Sequence, residues 1–283
     1  MQVRKITRSL FAFTGALLFS LGLMPASADA AGAQLLSHRA IYDMQLYSAH
    51  RGSGLSGARG SMVYSFRESC EGWTSETNVK MQLIYAEGDQ VGTDWAFASW
   101  ESKDGKSYQY STKQTRNGQE VENLKGRVRR SAPDAAAKAE FSSPEGEVIE
   151  LTKETLFPTR HLNELLAAGA AGKKIFSRMV FDGASLDNPY RINVIVVNKS
   201  PLTETATAAK LEGVLKKAGL ENLPVKHYRM AFFPARSRQE APEFELGVDY
   251  RADGVSRFIR QDFGDFVIDL KLKDIEVFDR PGC

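Results

Sequence analysis

The sequence predicts a mostly β, antiparallel protein with a curled or barrel-like sheet and one apolar helix packed against it. Apolar and polar residues alternate along most of the chain, which is the two-residue period of strands with one buried face. Asp-Gly and Asn-Gly dipeptides punctuate the alternation, and these accept the positive φ of tight hairpins. One stretch, Thr159 to Ala168, is strongly apolar at helical spacing instead. Strands following strands, with few helices between, exclude the βαβα order of a parallel sheet.

The pattern is clearest from Pro242 to Cys283. Phe244, Leu246, Val248 and Tyr250 alternate with Glu245, Gly247, Asp249 and Arg251. Asp253-Gly254 closes a hairpin and Val255 to Phe263 runs back. Gly264-Asp265 turns the chain again, and Phe266, Ile268, Leu270 and Leu272 resume the alternation. The phase slips after Lys273, where Ile275 and Val277 take the apolar side, so one extra residue is expected there as a β-bulge.

From the N-terminus, residues 1–28 read as a signal peptide. Arg4, Lys5 and Arg8 form its basic region, Leu10 to Leu23 its apolar region, and Ala26-Ser27-Ala28 a small-x-small cleavage site. The apolar run falls short of the roughly 20 residues of a membrane span. No cysteine follows it to carry a lipid anchor. Cleavage would remove three basic residues and no acid, so the formal charge of +2 would become −1. A near-neutral chain gives no electrostatic case for nucleic acid. Arg127-Val128-Arg129-Arg130, the densest basic cluster, alternates like the solvated end of a strand. Residues 29–283 contain no long Pro/Gly/Ser linker, no repeat and no apolar run able to span a bilayer, and read as a single β-rich domain.

His38 to Tyr47 is the first expected strand. The loop after it contains Gly52-x-Gly54-x-x-Gly57, but a dinucleotide site needs a helix to begin there. Met62, Tyr64 and Phe66 form another strand instead, so the glycines belong to a hairpin loop. Trp73 to Tyr85 follows Cys70. Trp95 to Trp100 is apolar on both faces, which predicts burial on both sides. Asp104-Gly105 and Asn117-Gly118 mark hairpins on either side of Tyr108 and Tyr110. Val121 to Arg130 and Glu147 to Leu151 are expected strands, with a loop around Pro133 between them.

In the helix, Leu162, Leu165 and Leu166 share a face; Pro158 suits its start and Gly169 its C-terminal cap. A lone apolar helix among strands must lie against the sheet or inside its curl. Ile175 to Phe181, Tyr190 to Asn198 and Val225 to Phe233 return to strands. Leu211, Val214, Leu215 and Ala218 mark a short second helix closed by Gly219.

No pattern in the chain points to chemistry. His38, His50, His161 and His227 are not spaced as metal ligands, and no GxSxG elbow is present. The carboxylates Asp262 and Asp265 flank a turn. No catalytic, cofactor-binding or metal-binding residue is assigned, and the expectation is a protein that is not an enzyme and holds no cofactor. The two cysteines, Cys70 and Cys283, follow a signal for an oxidising compartment, which favours an intramolecular pair over free thiols or an intermolecular bridge.

The C-terminal ribbon resembles the EipB family of periplasmic cell-envelope-integrity proteins. So do Leu36-Ser-His-Arg-Ala-Ile-Tyr42, Ser53-Gly-Leu-Ser-Gly-Ala-Arg-Gly60, Cys70-Glu-Gly-Trp73 and Leu156-Phe-Pro-Thr159, in that order. The resemblance covers nearly all of residues 29–283 and departs in the stretch before Pro224. It implies an open, spiral-like sheet wrapped around a helix, a Cys70–Cys283 disulfide, a periplasmic location and a non-enzymatic role in envelope integrity under stress. The implied partner is another envelope protein or an apolar envelope component. A different class stays open beside it: a carrier that holds a lipid or lipoprotein acyl chain in the concave face of the sheet. An envelope hydrolase is a third reading. Whether the apolar helix fills that face or covers it as a lid separates the first two.

Overall fold

The computed structural model describes residues 34–197, 200–202, 205–220, 223–238 and 240–283; the expected signal peptide lies outside the described residues. Among these, the alternating stretches pair into one fifteen-stranded sheet. Eight strands run as an antiparallel meander: β1 (His38–Ala49), β2 (Leu55–Glu68), β3 (Gly72–Tyr85), β4 (Gln90–Ser102), β5 (Ser107–Arg116), β6 (Gln119–Arg129), β7 (Ala137–Ser143) and β8 (Glu145–Leu151). The two-residue β9 (Thr155–Leu156) leads into helix α1 (Pro158–Ala170). Next come β10 (Ile175–Val180), β11 (Tyr190–Val197), helix α2 (Thr205–Lys217), β12 (Val225–Pro234), β13 (Phe244–Arg251), β14 (Ser256–Asp262) and β15 (Phe266–Val277).

The sheet order explains the curl. It runs β8 back to β1, then β15 back to β9, so the two ends of the chain pair in the middle of the sheet. The two edges, β8 and β9, are consecutive in sequence, with only residues 152–154 between them. So short a connection reaches no more than about 15 Å. The sheet must therefore bend round until its edges nearly meet, giving a nearly closed, barrel-like wall. Gly126 sits at a register shift in the β6–β7 pairing and lets the wall pack closely there, since a Cβ would overlap the Tyr110 hydroxyl and the Glu140 carbonyl.

The turns follow their sequence signals. Asn117 and Gly118 have φ of 51° and 77°, and Gly105, Gly254 and Gly264 also have positive φ. The expected bulge is present: Ile41 pairs with Asp274 and Tyr42 with Leu272, leaving Lys273 extra. The expected hairpin loop is shorter than its glycines suggest: residues 50–54 join the paired strands β1 and β2, and Gly57 already lies in β2, paired with Ile84.

The helix lies inside the curl. Its Thr159 and Arg160 N–H groups donate to Glu101 of β4 at 2.7 and 3.1 Å. Its C-terminal half meets Tyr228 of β12, and Leu162 and Leu166 lie beside Gly254 in the β13–β14 turn. Leu165 and Leu166 share a buried cluster with Phe66, Val194, Tyr228, Met230 and Val248. A helix held from three parts of the wall is core, not lid. A second cluster joins Leu211 and Leu215 of α2 to Tyr42, Phe258, Leu270 and Leu272. A third sits behind the seam, where Tyr108 stacks on Phe157 at 4.8 Å with Tyr110, Phe141 and Phe181 beside them.

Four expectations are corrected. Gly169 does not cap α1; it lies within the helix, where a Cβ would overlap the Tyr228 hydroxyl. The cap is instead a Schellman motif on Gly172, with the Gly172 and Lys173 N–H groups donating to the Gly169 and Ala168 carbonyls. The Trp95–Trp100 segment is not buried on both faces, because no layer covers the outer one: Ser99 is buried, but Trp95, Phe97 and Trp100 are half-buried and Ala98 is exposed. The stretch after Pro133 is not only loop, since β7 pairs with β6 and β8. Arg130 is not solvated, because its Nη2 donates to the Thr155 carbonyl at 2.7 Å and its guanidinium stacks over Phe157 at 4.4 Å, tying β6 across the seam to β9.

Candidate functional site

Among the described residues, three constellations are candidates for a site. The first is the disulfide. Cys70, in the β2–β3 turn, is bonded to Cys283 with Cα atoms 5.8 Å apart at a sequence separation of 213. The tail that brings Cys283 there is guided by the Phe278 N–H donating to the Ser37 carbonyl and by Arg67 stacked over the Phe278 ring at 3.4 Å.

The second is the socket at the start of α1. The helix has no side-chain cap of its own, so its first N–H groups need a partner from elsewhere. Glu101 supplies it. Ser99 and Glu101 share the inward register of β4, and Glu101 is only 3% exposed. Burial pushes its carboxyl up to about 7, opposed by the Thr159 and Arg160 hydrogen bonds. His161, one residue further on, is buried with no partner for its Nε2; burial pulls its imidazole down to about 4. The helix is further anchored by Glu164, which accepts from Arg178 of β10 at 2.6 Å.

The third joins β12, β13 and the segment before α2. His227 Nδ1 lies 2.8 Å from Asp249 Oδ1, and the Ser200 hydroxyl donates to Asp249 Oδ2 at 2.6 Å. Asp249 is fully buried. An imidazole oriented by a carboxylate is half of a general-base arrangement. The other half is not assembled: Ser200 bonds the carboxylate rather than the imidazole, and the Nε2 side of His227 faces Gly247, where a Cβ would lie 3.2 Å away. The geometry is that of a knot tethering residue 200 to the sheet.

The remaining histidines do not converge. His38 is buried, its Nδ1–H donating to the Leu36 carbonyl at 2.7 Å, and His50 is exposed in the β1–β2 loop. Among the described residues, no three His, Cys, Asp or Glu side chains gather as a metal site and no helix is long and apolar enough to cross a membrane. On the concave side Trp95 and Phe97 stack at 5.7 Å, both half-buried. A groove of about 410 Å³ near the Asn117–Gly118 turn is bordered by the charged and amide side chains of Arg59, Lys80, Gln82 and Asp94 together with Met81.

A family model described as EipB-like matches residues 29–279. The chain belongs to the EipB-like family. It is 29% identical over 287 residues to the cell envelope integrity protein EipB of Brucella abortus (strain 2308), covering 99% of both chains. The crystal structure of a beta-barrel-like protein of a domain of unknown function, also from Brucella abortus, matches with a TM-score of 0.77 and 28% identity, covering 87% of this chain and 100% of that one.

For this EipB-like chain, sequence reasoning found the disulfide and missed the helix socket and the His227–Asp249 knot. Glu101 carried a signal that could have found it, a carboxylate in register with the inward Ser99. Asp249 carried none, because it sits on the polar side of β13 and its partners His227 and Ser200 come from elsewhere in the chain.

Proposed function

We propose that this EipB-like protein is a periplasmic, non-enzymatic protein that supports cell-envelope integrity and resistance to envelope stress. The observation that carries the reading is the end-to-end match to a protein named for envelope integrity. The disulfide supports an oxidising compartment. The polar constellations support a shape-presenting role, since each tethers one element to another. The partner in this reading is another envelope protein or an apolar envelope component.

The test is deletion of the gene and complementation on detergent plates, with protein levels followed by immunoblot. Deletion is expected to sensitise cells. Single alanine substitutions of His38, His50, His161 or His227 that accumulate normally are expected to complement. Leu165→Asp, which buries a charge in the core, is expected to lose the protein and the phenotype together. A histidine variant that accumulates normally and fails to complement would return the protein to the enzymes.

The carrier reading keeps one favourable observation, the half-buried Trp95–Phe97 stack on the concave side. Against it, α1 fills the concave space beside Tyr228 and Glu101. Native mass spectrometry of protein drawn from the periplasm decides between them. Bare protein is expected, and a stoichiometric lipid adduct would favour the carrier.

A further inference from the structure

We propose that the outer face of β4–β6 carries a binding site for an acidic saccharide, built on Trp100 with Gln109, Arg127 and Arg129. Ser99 and Glu101 point into the core, so Trp100 between them points out. Its cross-strand partner is Gln109, and the partner of Gln109 is Arg127; Ser107 and Arg129 form the next pair. Side chains so paired stand about 5 Å apart on one face, which gathers the group within roughly 10 Å.

The indole is seated by Gly72 on β3, where a Cβ would come within 2.8 Å of the ring. It is half-buried, and its other side borders a hollow of about 170 Å³ walled by Ser107, Gln109, Arg127 and Arg129. That is smaller than the roughly 300–1,000 Å³ of a drug-sized site, and suits one ring of a longer chain.

The polar groups around the indole are uncommitted. Among the described residues, the side chains of Trp100, Gln109 and Arg129 have no hydrogen-bond or ion-pair partner. Arg127 reaches Glu140 only at 3.5 Å, with both side chains exposed. Two guanidinium groups thus stand against one acid, which favours an anionic ligand. A flat apolar ring beside a planar amide and two planar guanidiniums matches a pyranose: its C–H face packs on the indole, its hydroxyls bridge to Gln109, and a carboxylate is taken bidentately by an arginine.

The protein has three tryptophans, Trp73, Trp95 and Trp100, so its indole N–H groups give three resonances in a ¹H–¹⁵N spectrum, assigned by Trp100→Phe. The processed protein would be titrated with oligogalacturonate, with a neutral malto-oligosaccharide of equal length, and with oligoglutamate. The expected result is a saturable shift of the Trp100 resonance with oligogalacturonate, and weaker shifts with the other two. Arg129→Gln, an exposed change, is expected to raise Kd about tenfold, the cost of one charge-assisted contact. Trp100→Ala is expected to abolish binding with an unchanged melting profile, and Arg229→Gln elsewhere on the sheet to change nothing. Four outcomes would overturn the site: no saturable shift with oligogalacturonate, an equal response to oligoglutamate, equal affinity for the neutral chain, or an unaltered Kd in Arg129→Gln.

Discussion

Glu101 of β4 and His161 of α1 both lie at the first turn of the helix and pull the pH dependence of stability in opposite directions. Burial holds Glu101 near 7 against an ordinary 4.5, so the fold binds its proton more tightly than the unfolded chain does. Its contribution is present below pH 4.5 and is lost as pH rises through 7. His161 lies near 4 against 6.5, so its contribution is present above pH 6.5 and is lost as pH falls through 4. At 1.36 kcal/mol for each pH unit, either is worth about 3 kcal/mol at most. Between pH 4.5 and 6.5 the two slopes cancel. Glu101→Gln is therefore expected to leave stability rising with pH over that window, and His161→Gln to leave it falling. Urea midpoints from pH 4 to 8 check both; variant profiles parallel to the natural one would show that neither group titrates as argued. Little of this was legible beforehand. Glu101 and Thr159 are 58 residues apart, and a strand pattern shows which way a side chain points without showing what meets it.

At the scale of elements, two helix glycines separate propensity from packing. Gly213 in α2 is exposed, with nothing within 4 Å of where a Cβ would go, so Gly213→Ala is expected to stabilise the protein by about 1 kcal/mol. Gly169 in α1 has the same intrinsic preference for alanine, but a Cβ there would strike Tyr228. Gly169→Ala is expected to destabilise by about 1–3 kcal/mol, as overpacking does. Adding Tyr228→Phe removes the atom struck first, so the double variant should lose less than the two single losses combined. Thermal melts of the four proteins complete the cycle, and additive losses would place the clash elsewhere. The apolar spacing revealed both helices, and Asn-Gly and Asp-Gly revealed the turns, because each rests on local chemistry. Strand β7 was missed because two of its three inward residues, Ala137 and Ala139, are small, and Phe141 alone marks no period. Strand β9 was missed because two residues have no period at all.

For the whole molecule, strand order was the least legible property, because it is settled by contacts between residues far apart in sequence. Alternation announces that strands exist without saying that β1 pairs with β15 or that the edges are consecutive. The cysteines were the exception: their count and compartment favoured a pair, and Cys70 and Cys283 are bonded across 213 residues. The topology also predicts what that bond does. Strand β15 is held on one side by β1 and on the other by β14, so the ribbon keeps its place without the staple. The bond then acts mainly on the unfolded chain, where closing so long a loop is worth about 5 kcal/mol as an upper figure. The double variant Cys70→Ser/Cys283→Ser is expected to lose up to that amount in urea unfolding while keeping its native spectrum. Amide exchange measured under native conditions should quicken in residues 278–283 and stay slow in β15. Thiol titration of the unreduced, denatured natural protein should find no free thiol. Rapid exchange along β15 in the double variant would show that the bond holds the native sheet together, and the argument from strand order would fail.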